Sequence, residues 1–596
     1  MADSPSLNSS GVVRVVVSSD GQQIDDTIQL ISISIIQAAN KISTAKIVVA
    51  DGDMPNKDFP ISNQDVFKPG AKIKINAGYG QEDETIYEGV VIKHGIEISG
   101  NNSGRLIIEC KDAAVAMTVA RKNQNYIDSK DSDIISSIIS NYSDLSAKVD
   151  ATTTEYKELV QYFCTDWDFM LSRAEANGML TYVEAGTVTV APPDFSSAAD
   201  LVVTYGDDLM EFQADLDARH QLNEVSSVAW DIKSQAAVEE KVTAQEQNKQ
   251  GDLNTQTLSE VLNVTDYRLQ SSTPLMSTSL KSWAEGQHLR SGLSRIRGHM
   301  KFQGSAKAKA GALITVEGVG NRFNGDVYVT EVYHHISNGN WVTVANFGLS
   351  AQWFAEQRDL TALPASGLTP GVEGLQIAVV KKLDEDPDGQ FRIQVTVPVM
   401  QAETEGVWAR LLSYYATEKA GNFFLPEIGD EVVLGYLNND PSHPVILGAL
   451  YSTSHNPPYD FTAENYIKAI VTKANLKIEF DDEKKVITVI TPGENKIVIS
   501  DEDKSILLQD QNSNQVELSP DGIKLDSPKD IQINAQGKID ITSTGAMSLS
   551  SKADVSVEGL NINNNANVGF VAKGSATAEL SASGQTTVKG AMVMIN

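Results

Sequence analysis

From Ile531 onward, apolar residues two positions apart return every eight residues: Ile531 and Ile533, Ile539 and Ile541, Met547 and Leu549, Val555 and Val557. A spacing of two puts both side chains on one face of a short strand. Between the pairs fall Gly, Asn, Asp, Ser and Lys, residues of turns and solvated faces. Looser pairs precede them at Ile497 and Ile499, Ile506 and Leu508, Val516 and Leu518, and Ile523 and Leu525, at intervals of nine, ten and seven. One short strand per octad encloses no core, and repeats of this kind bury their apolar face only by stacking. Eight residues are too few for a solenoid turn within one chain, so the missing walls are expected from other chains. The pattern predicts a three-chain intertwined β-helix over residues 468–596, with the eight regular dyad residues as its core. The dyads fail at Asn563–Asn565 before Val568 and Phe570. Register shifts are expected there and between Ile497 and Ile523.

Alternation of apolar and polar positions predicts strands through residues 12–110, in VVRVVV, TIQLISISII, AKIVVA and KIKINAGYG. Residues 131–142 switch to helical spacing, with Ile134, Ile135, Ile138 and Ile139 on one side. A second helix is read over 155–178, ending at a C-cap near Gly178, and a third over 279–297. Trp167, Phe169, Met170 and Leu171 read as core at helical spacing. The polar stretch 234–260 reads as a long, partly mobile surface excursion. Pro and Gly concentrate in TALPASGLTPGVEG and again in HNPPYD. The expected division is a first region over 1–363, with helices near 131–178 and 279–297, and a linker over 364–374. A small barrel over 375–452, a joint over 453–467 and the needle over 468–596 follow.

Composition narrows the class. The chain has 596 residues, 48 basic against 78 acidic side chains, and a formal charge of −30. That balance argues against nucleic acid as a partner. Residues 531–596 carry four acids and four lysines, so the repeat is neutral and is expected to meet its partner by shape. Cys110 and Cys164 sit in apolar contexts and read as buried thiols. The start, MADSPSLNSSG, lacks a basic stretch and an apolar core, so no Sec signal is visible and synthesis and assembly in a bacterial cytoplasm are expected.

Several strings resemble the VgrG family of contractile-injection spikes and related phage baseplate hubs. QYFCTDWDFMLSRAEANGML (161–180) is similar to a hub segment of that family. SRIRGHMKFQGS (294–305) and the run from Gly318 to Phe354 resemble its second hub barrel. DPDGQFRIQVTVP, WARL and FLPEIGDEVVLGYLNNDPSHPVILGALYS resemble its OB-fold core, most specifically around Pro426, Gly429, Asp430, Asp440, Pro441, Pro444 and Gly448. The resemblance implies a mainly β, multidomain homotrimer: a phage-hub-like double β-barrel region with inserted α/β elements, an OB-fold barrel and a C-terminal triple-stranded β-helix. It also implies a mating surface for inner-tube and baseplate proteins, possible effector cargo, transient contact with a target membrane, and a PAAR-like cap. The apolar run Ala591, Met592, Val593, Met594 and Ile595 is the expected cap interface. The machine would be a type VI apparatus, an extracellular contractile particle or a phage tail, and the protein would function as part of a secreted or extracellular contractile particle.

The barrel motif reads as backbone chemistry. Asp388 and Gly389 mark one turn, Gly429 and Asp430 a second between Phe423–Leu425 and Glu431–Tyr436, and Pro441 and Pro444 the loop before Val445–Leu447. Asp384, Asp386, Asp388 and Gly389 match half of a calcium loop, but the twelfth position is Val395 where a bidentate Glu belongs. GVGNRFNG lacks the spacing of a phosphate loop. His334 and His335 are adjacent, so on a strand they face opposite ways and share no metal. Glu427 and Asp430 fall within a turn rather than forming an acid–base pair, and no nucleophile motif is found. No catalytic, cofactor-binding or metal residue is expected. Only Ser452 to Ile467 separates barrel from repeat, and the sequence stops at Asn596, so no enzyme domain is expected between barrel and needle or beyond it. Two rivals remain: a spike hydrolysing cell-wall or surface polysaccharide, and a trimeric receptor-binding fibre.

Overall fold

The computed structural model of the chain describes residues 3–6, 11–100, 103–243, 247–264, 266–356, 360–401 and 405–595. It divides into two compact units, Met1–Leu450 and Tyr451–Asn596.

The first unit is built on one thirteen-stranded sheet. Its first half holds Val13–Ser19, Leu30–Ala38, Thr44–Ala50, Lys72–Tyr79, Glu82–Ile98 and Gly104–Lys111. Period-two alternation puts Ile33, Ile35, Ile47, Ile73, Ile75, Leu106 and Ile108 into one core, all essentially inaccessible to water. A second core gathers Leu201, Met300, Phe302, Val316, Val327 and Phe347 from the later strands. The two halves are sewn together where Gly325–Ser337 pairs antiparallel with Leu30–Ala38, His334 lying opposite Ile35 and Ile336 opposite Ile33. The two cores therefore share one continuous ladder.

Helix α1 (Asp131–Ser140) buries Ile134, Ile135, Ile138 and Ile139 against Trp167, Met170 and Leu171 of α2 (Asp166–Ala176). The helix expected over 155–178 is half its predicted length. Glu155–Thr165 is a strand paired with Arg121–Lys130, and Thr165 caps α2 by accepting a 3.1 Å hydrogen bond from the Asp168 N–H. The strand mimicked a helix because a bulge between Gln161 and Cys164 breaks its period of two. Gly178 does follow the helix end, at φ +66°, and an added Cβ there would come 3.3 Å from the Gly286 Cα. That glycine lies on α4 (Ser277–Leu293), which stops four residues before the expected 297. Glu175 of α2 accepts from Arg290 of α4 and from the Phe354 N–H at 2.6 Å, binding both helices to the chain's return segment.

The excursion expected over 234–260 is largely ordered secondary structure. Ala236–Thr243 pairs with Glu224–Asp231, and α3 (Thr255–Ser259) buries Leu258. The segment reads as polar because the strand lies at a sheet edge, where charged side chains are favoured. Residues 244–246 of that excursion lie outside the described residues.

Five strands, Gln376–Lys382, Ile393–Thr396, Val407–Leu411, Pro444–Ala449 and Glu431–Tyr436, close into a barrel around Ala378, Val395, Ala409, Val432, Leu434 and Ile446. The proline-rich segment before it packs on this barrel: Ala365 is buried, and the Val372 N–H donates to the Asn439 carbonyl at 2.8 Å.

In the second unit seven strands, from Ile467–Val471 to Gly522–Asp526, form an antiparallel meander. The β-helix expected over 468–596 is a three-chain structure, and within one chain its first part, to Asp526, is this meander. The uneven intervals of nine, ten and seven are those of strands joined by turns of different length. After Asp526 no strand ladder forms among the described residues, and every described residue from 528 to 595 is exposed. The backbone instead bends at 528–529, 536–537, 544–545, 552–553, 560, 567–568, 575–576, 583–584 and 591–592. The octad beat is thus a feature of the fold.

Candidate functional site

The meander is one-sided. Its ladder puts Ile478 opposite Val489, Val489 opposite Ile497, Ile497 opposite Leu508, Leu508 opposite Val516 and Val516 opposite Leu525. A second row runs through Phe480, Ile487, Ile499, Ile506, Leu518 and Ile523 by the same pairings. All fall on one face because the pairs are two residues apart in every strand. Among the described residues they are left uncovered: Ile478, Phe480, Ile487, Val489, Ile497, Ile499, Ile506, Leu508 and Leu518 are each 37–43% exposed. Turns rich in Asp, Glu, Lys and Asn bound the apolar rows at both ends of the strands.

This face continues into the octads. A concavity of about 710 Å³ is lined by Val489, Ile497, Leu508, Val516 and Leu525 together with Ile531, the first residue of the regular repeat. Beyond it the dyads keep a two-step exposure. Ile531, Ile539, Met547 and Val555 are 50–57% exposed, and Ile533, Ile541, Leu549 and Val557 are 68–77% exposed. Met592, Val593, Met594 and Ile595 are exposed apolar residues at and after the last bend, beside Ala591. An apolar face of this extent is far above what a soluble monomer normally leaves bare.

The barrel residues take structural places. Asp386 accepts from the backbone N–H groups of Gln390 at 2.8 Å and Arg392 at 3.1 Å, and from the Arg392 guanidinium at 2.6 Å. The guanidinium, followed by these backbone donors, holds its carboxyl below the usual range although burial opposes it. Asp386 thus ties its own hairpin, with Asp388 bonded to the same Arg392 and Gly389 at φ +63°. Gly429 lies in a turn at φ +95°, where Asp430 accepts from the Glu427 N–H at 2.8 Å. Pro426 precedes that turn. Phe423–Leu425, expected as a strand, is irregular. Pro441 is in a turn, and Pro444 opens the strand that carries Gly448 opposite Val433.

His334 is buried and its Nδ1 is 2.9 Å from the Thr343 hydroxyl, whereas His335 meets Ser34 and Tyr333 on the other face. Burial pushes the Cys110 thiol up to about 12 and raises that of Cys164. Among the described residues no group of three or more His, Cys, Asp and Glu side chains is placed to hold a metal. The sequence did not disclose the Asp131–Arg173 pair, at 2.7 Å and joined by Asn177, because its members are 42 residues apart.

Two family models match. One, described as the Alg8 N-terminal domain, covers residues 9–338, more than half of the chain. The chain belongs to the Alg8 N-terminal domain family. The second is the type VI secretion system/phage-baseplate injector OB domain, over 376–451, which coincides with the closed barrel. Among curated proteins, the type VI secretion system spike protein VgrG2a of Pseudomonas aeruginosa is 28% identical over 138 residues, 22% of this chain and 16% of that protein. The actin cross-linking toxin VgrG1 of Vibrio cholerae is 31% identical over 97 residues, 15% of this chain and 9% of that protein. The chain thus spans less than a fifth of the length of these relatives. A tail protein of prophage MuSo2 from Shewanella oneidensis is 10% identical, covering 57% of this chain and 99% of that one, with a TM-score of 0.43, too distant to carry weight. The OB-domain match and these curated relatives bear out the resemblance to VgrG spike proteins.

Proposed function

We propose that three copies of this chain form the non-enzymatic central hub and spike of a contractile injection machine. The observation that carries this reading is the incompleteness of the second unit. It has a bare apolar sheet face that runs into octads with no ladder of their own. Apolar dyads left 50–77% exposed are costly in water, and strands from two further copies would bury them. In the first unit, two cores on one sheet would give three chains six comparable halves, which suits contact with a six-fold inner tube and baseplate. The octads would form a stiff needle that concentrates the driving force on a target envelope. A small PAAR-like protein would cover Ala591–Ile595. The assembly would be made in the cytoplasm and exported as part of the machine. The rival readings find less support: Asp386, Asp430 and His334, the acids and histidine singled out above, serve a hairpin, a turn and the core, and a fibre has no need of the barrel.

Light scattering on the purified full-length chain tests the reading directly. The expected mass is three times the 64.4 kDa of one chain, unchanged on dilution. A well-behaved monomer would overturn it, because the apolar face would then have to be stable in water.

A further inference from the structure

The beat of bends is broken once, and the break coincides with a polar residue. Two and four places after the second residue of each bend lie the dyads Ile531 and Ile533 through Val555 and Val557. At 560 only one residue bends, and exposure decides its place. Leu560 is 100% exposed like Val568 at 104%, the second residue of the next bend, while Ile562 at 51% matches the first dyad positions. The dyad after 560 is therefore Ile562 and Asn564, one residue earlier than the octad count that points to Asn563 and Asn565. One turn has seven residues where the others have eight. The pairs that follow are Phe570 and Ala572, Ala578 and Leu580, then Thr586 and Val588.

Near-identical octads pose a problem of alignment. A chain displaced by eight residues sets Ile against Ile and Met or Leu against Ile, and loses contacts only at the ends. Period repeats without a distinctive layer specify register weakly. We propose that Asn564 from three copies meets on the axis and, with the seven-residue turn, locks the chains into one alignment. This rests on the trimeric reading above. Each side-chain amide N–H would donate to the next copy's carbonyl oxygen, closing a ring of three. A slipped chain would set its short turn against a full one and its amide in an apolar layer, where it finds no partner.

The full-length chain carrying Asn564→Cys, Asn563→Cys or Asn565→Cys, one at a time, is oxidised and run on a non-reducing gel, with the native chain as the control for Cys110 and Cys164. Asn564→Cys is expected to give disulfide-linked pairs several-fold above the other two. Equal linkage, or more at 563 or 565, would overturn the placement. Slippage is read by co-expressing a tagged Ile541→Cys chain with an untagged Leu549→Cys chain, one octad apart. Tagged-to-untagged linkage should be absent with Asn564 and appear when both chains also carry Asn564→Val. The same yield in both backgrounds would mean that Asn564 does not guard the register. A native chain that scatters as a monomer removes the trimeric reading itself, whereas a trimer with the wrong linkage removes only the lock.

Discussion

His334 and His335 are chain neighbours in different surroundings, and the difference has a measurable consequence. Burial lowers the His334 pKa from 6.5 to about 4. Its folded value is depressed, so its contribution to stability is intact above about pH 6.5 and is lost as pH falls through that window. Over the whole window the loss amounts to roughly 3 kcal/mol, because the unfolded chain takes up a proton that the folded first unit refuses. Thermal unfolding of native and His334→Gln chains at about pH 7 and about pH 4.5 checks this. The native chain should lose more of its melting temperature on acidification than the variant. Parallel losses would mean that His334 is not the proton-sensitive group. The opposite orientation of the two histidines was legible in the sequence because a strand's period of two depends on nothing else. The hydrogen bond from His334 to Thr343 was not, since it depends on which strand lies alongside.

At the scale of elements, the same logic separates what could be read from what could not. Strands with unbroken alternation, such as Leu30–Ala38, and the α1 face of four isoleucines were legible because local periodicity determines which side is buried. Glu155–Thr165 was misread because its bulge imitates helical spacing, and Ala236–Thr243 because an edge strand is as polar as a loop. The dyads were legible as pairs, but not whether neighbouring pairs lie on antiparallel strands of one ladder or between successive bends. Turn length decides that: four or five residues separate most of the meander strands, while the octads leave room only for a bend. If the octad dyads meet other copies, Ile541→Asp sets three carboxylates in an apolar layer, whereas Ser543→Asp lies beside a bend. The first should abolish SDS resistance of the full-length oligomer or lower its melting temperature far more than the second. Equal effects would place Ile541 outside the interface.

At the scale of the whole molecule, charge and shape divide the work. The chain carries −30, yet residues 531–596 hold equal numbers of acids and lysines. In the proposed trimer, long-range repulsion would therefore come from the segments before residue 531, and the octads could approach one another, or a partner, without an electrostatic cost. The last bend, at 591–592, keeps the beat to the end of the described chain, and Met592, Met594 and Ile595 are 77–91% exposed there. In the proposed trimer, side-by-side packing would bury the dyads along an axis and leave Met592, Met594 and Ile595 to a partner lying across them. A neutral surface there would select by shape and apolar contact more than by charge. Removing residues 590–596 should therefore leave the oligomer's mass and melting temperature nearly unchanged while abolishing co-purification of a small PAAR-like cap. Substituting Met592 and Met594 together by Ser should weaken capture in the same way, with little dependence on salt. Cap capture that survives both changes, or that falls steeply with salt, would place the contact on the charged turns instead.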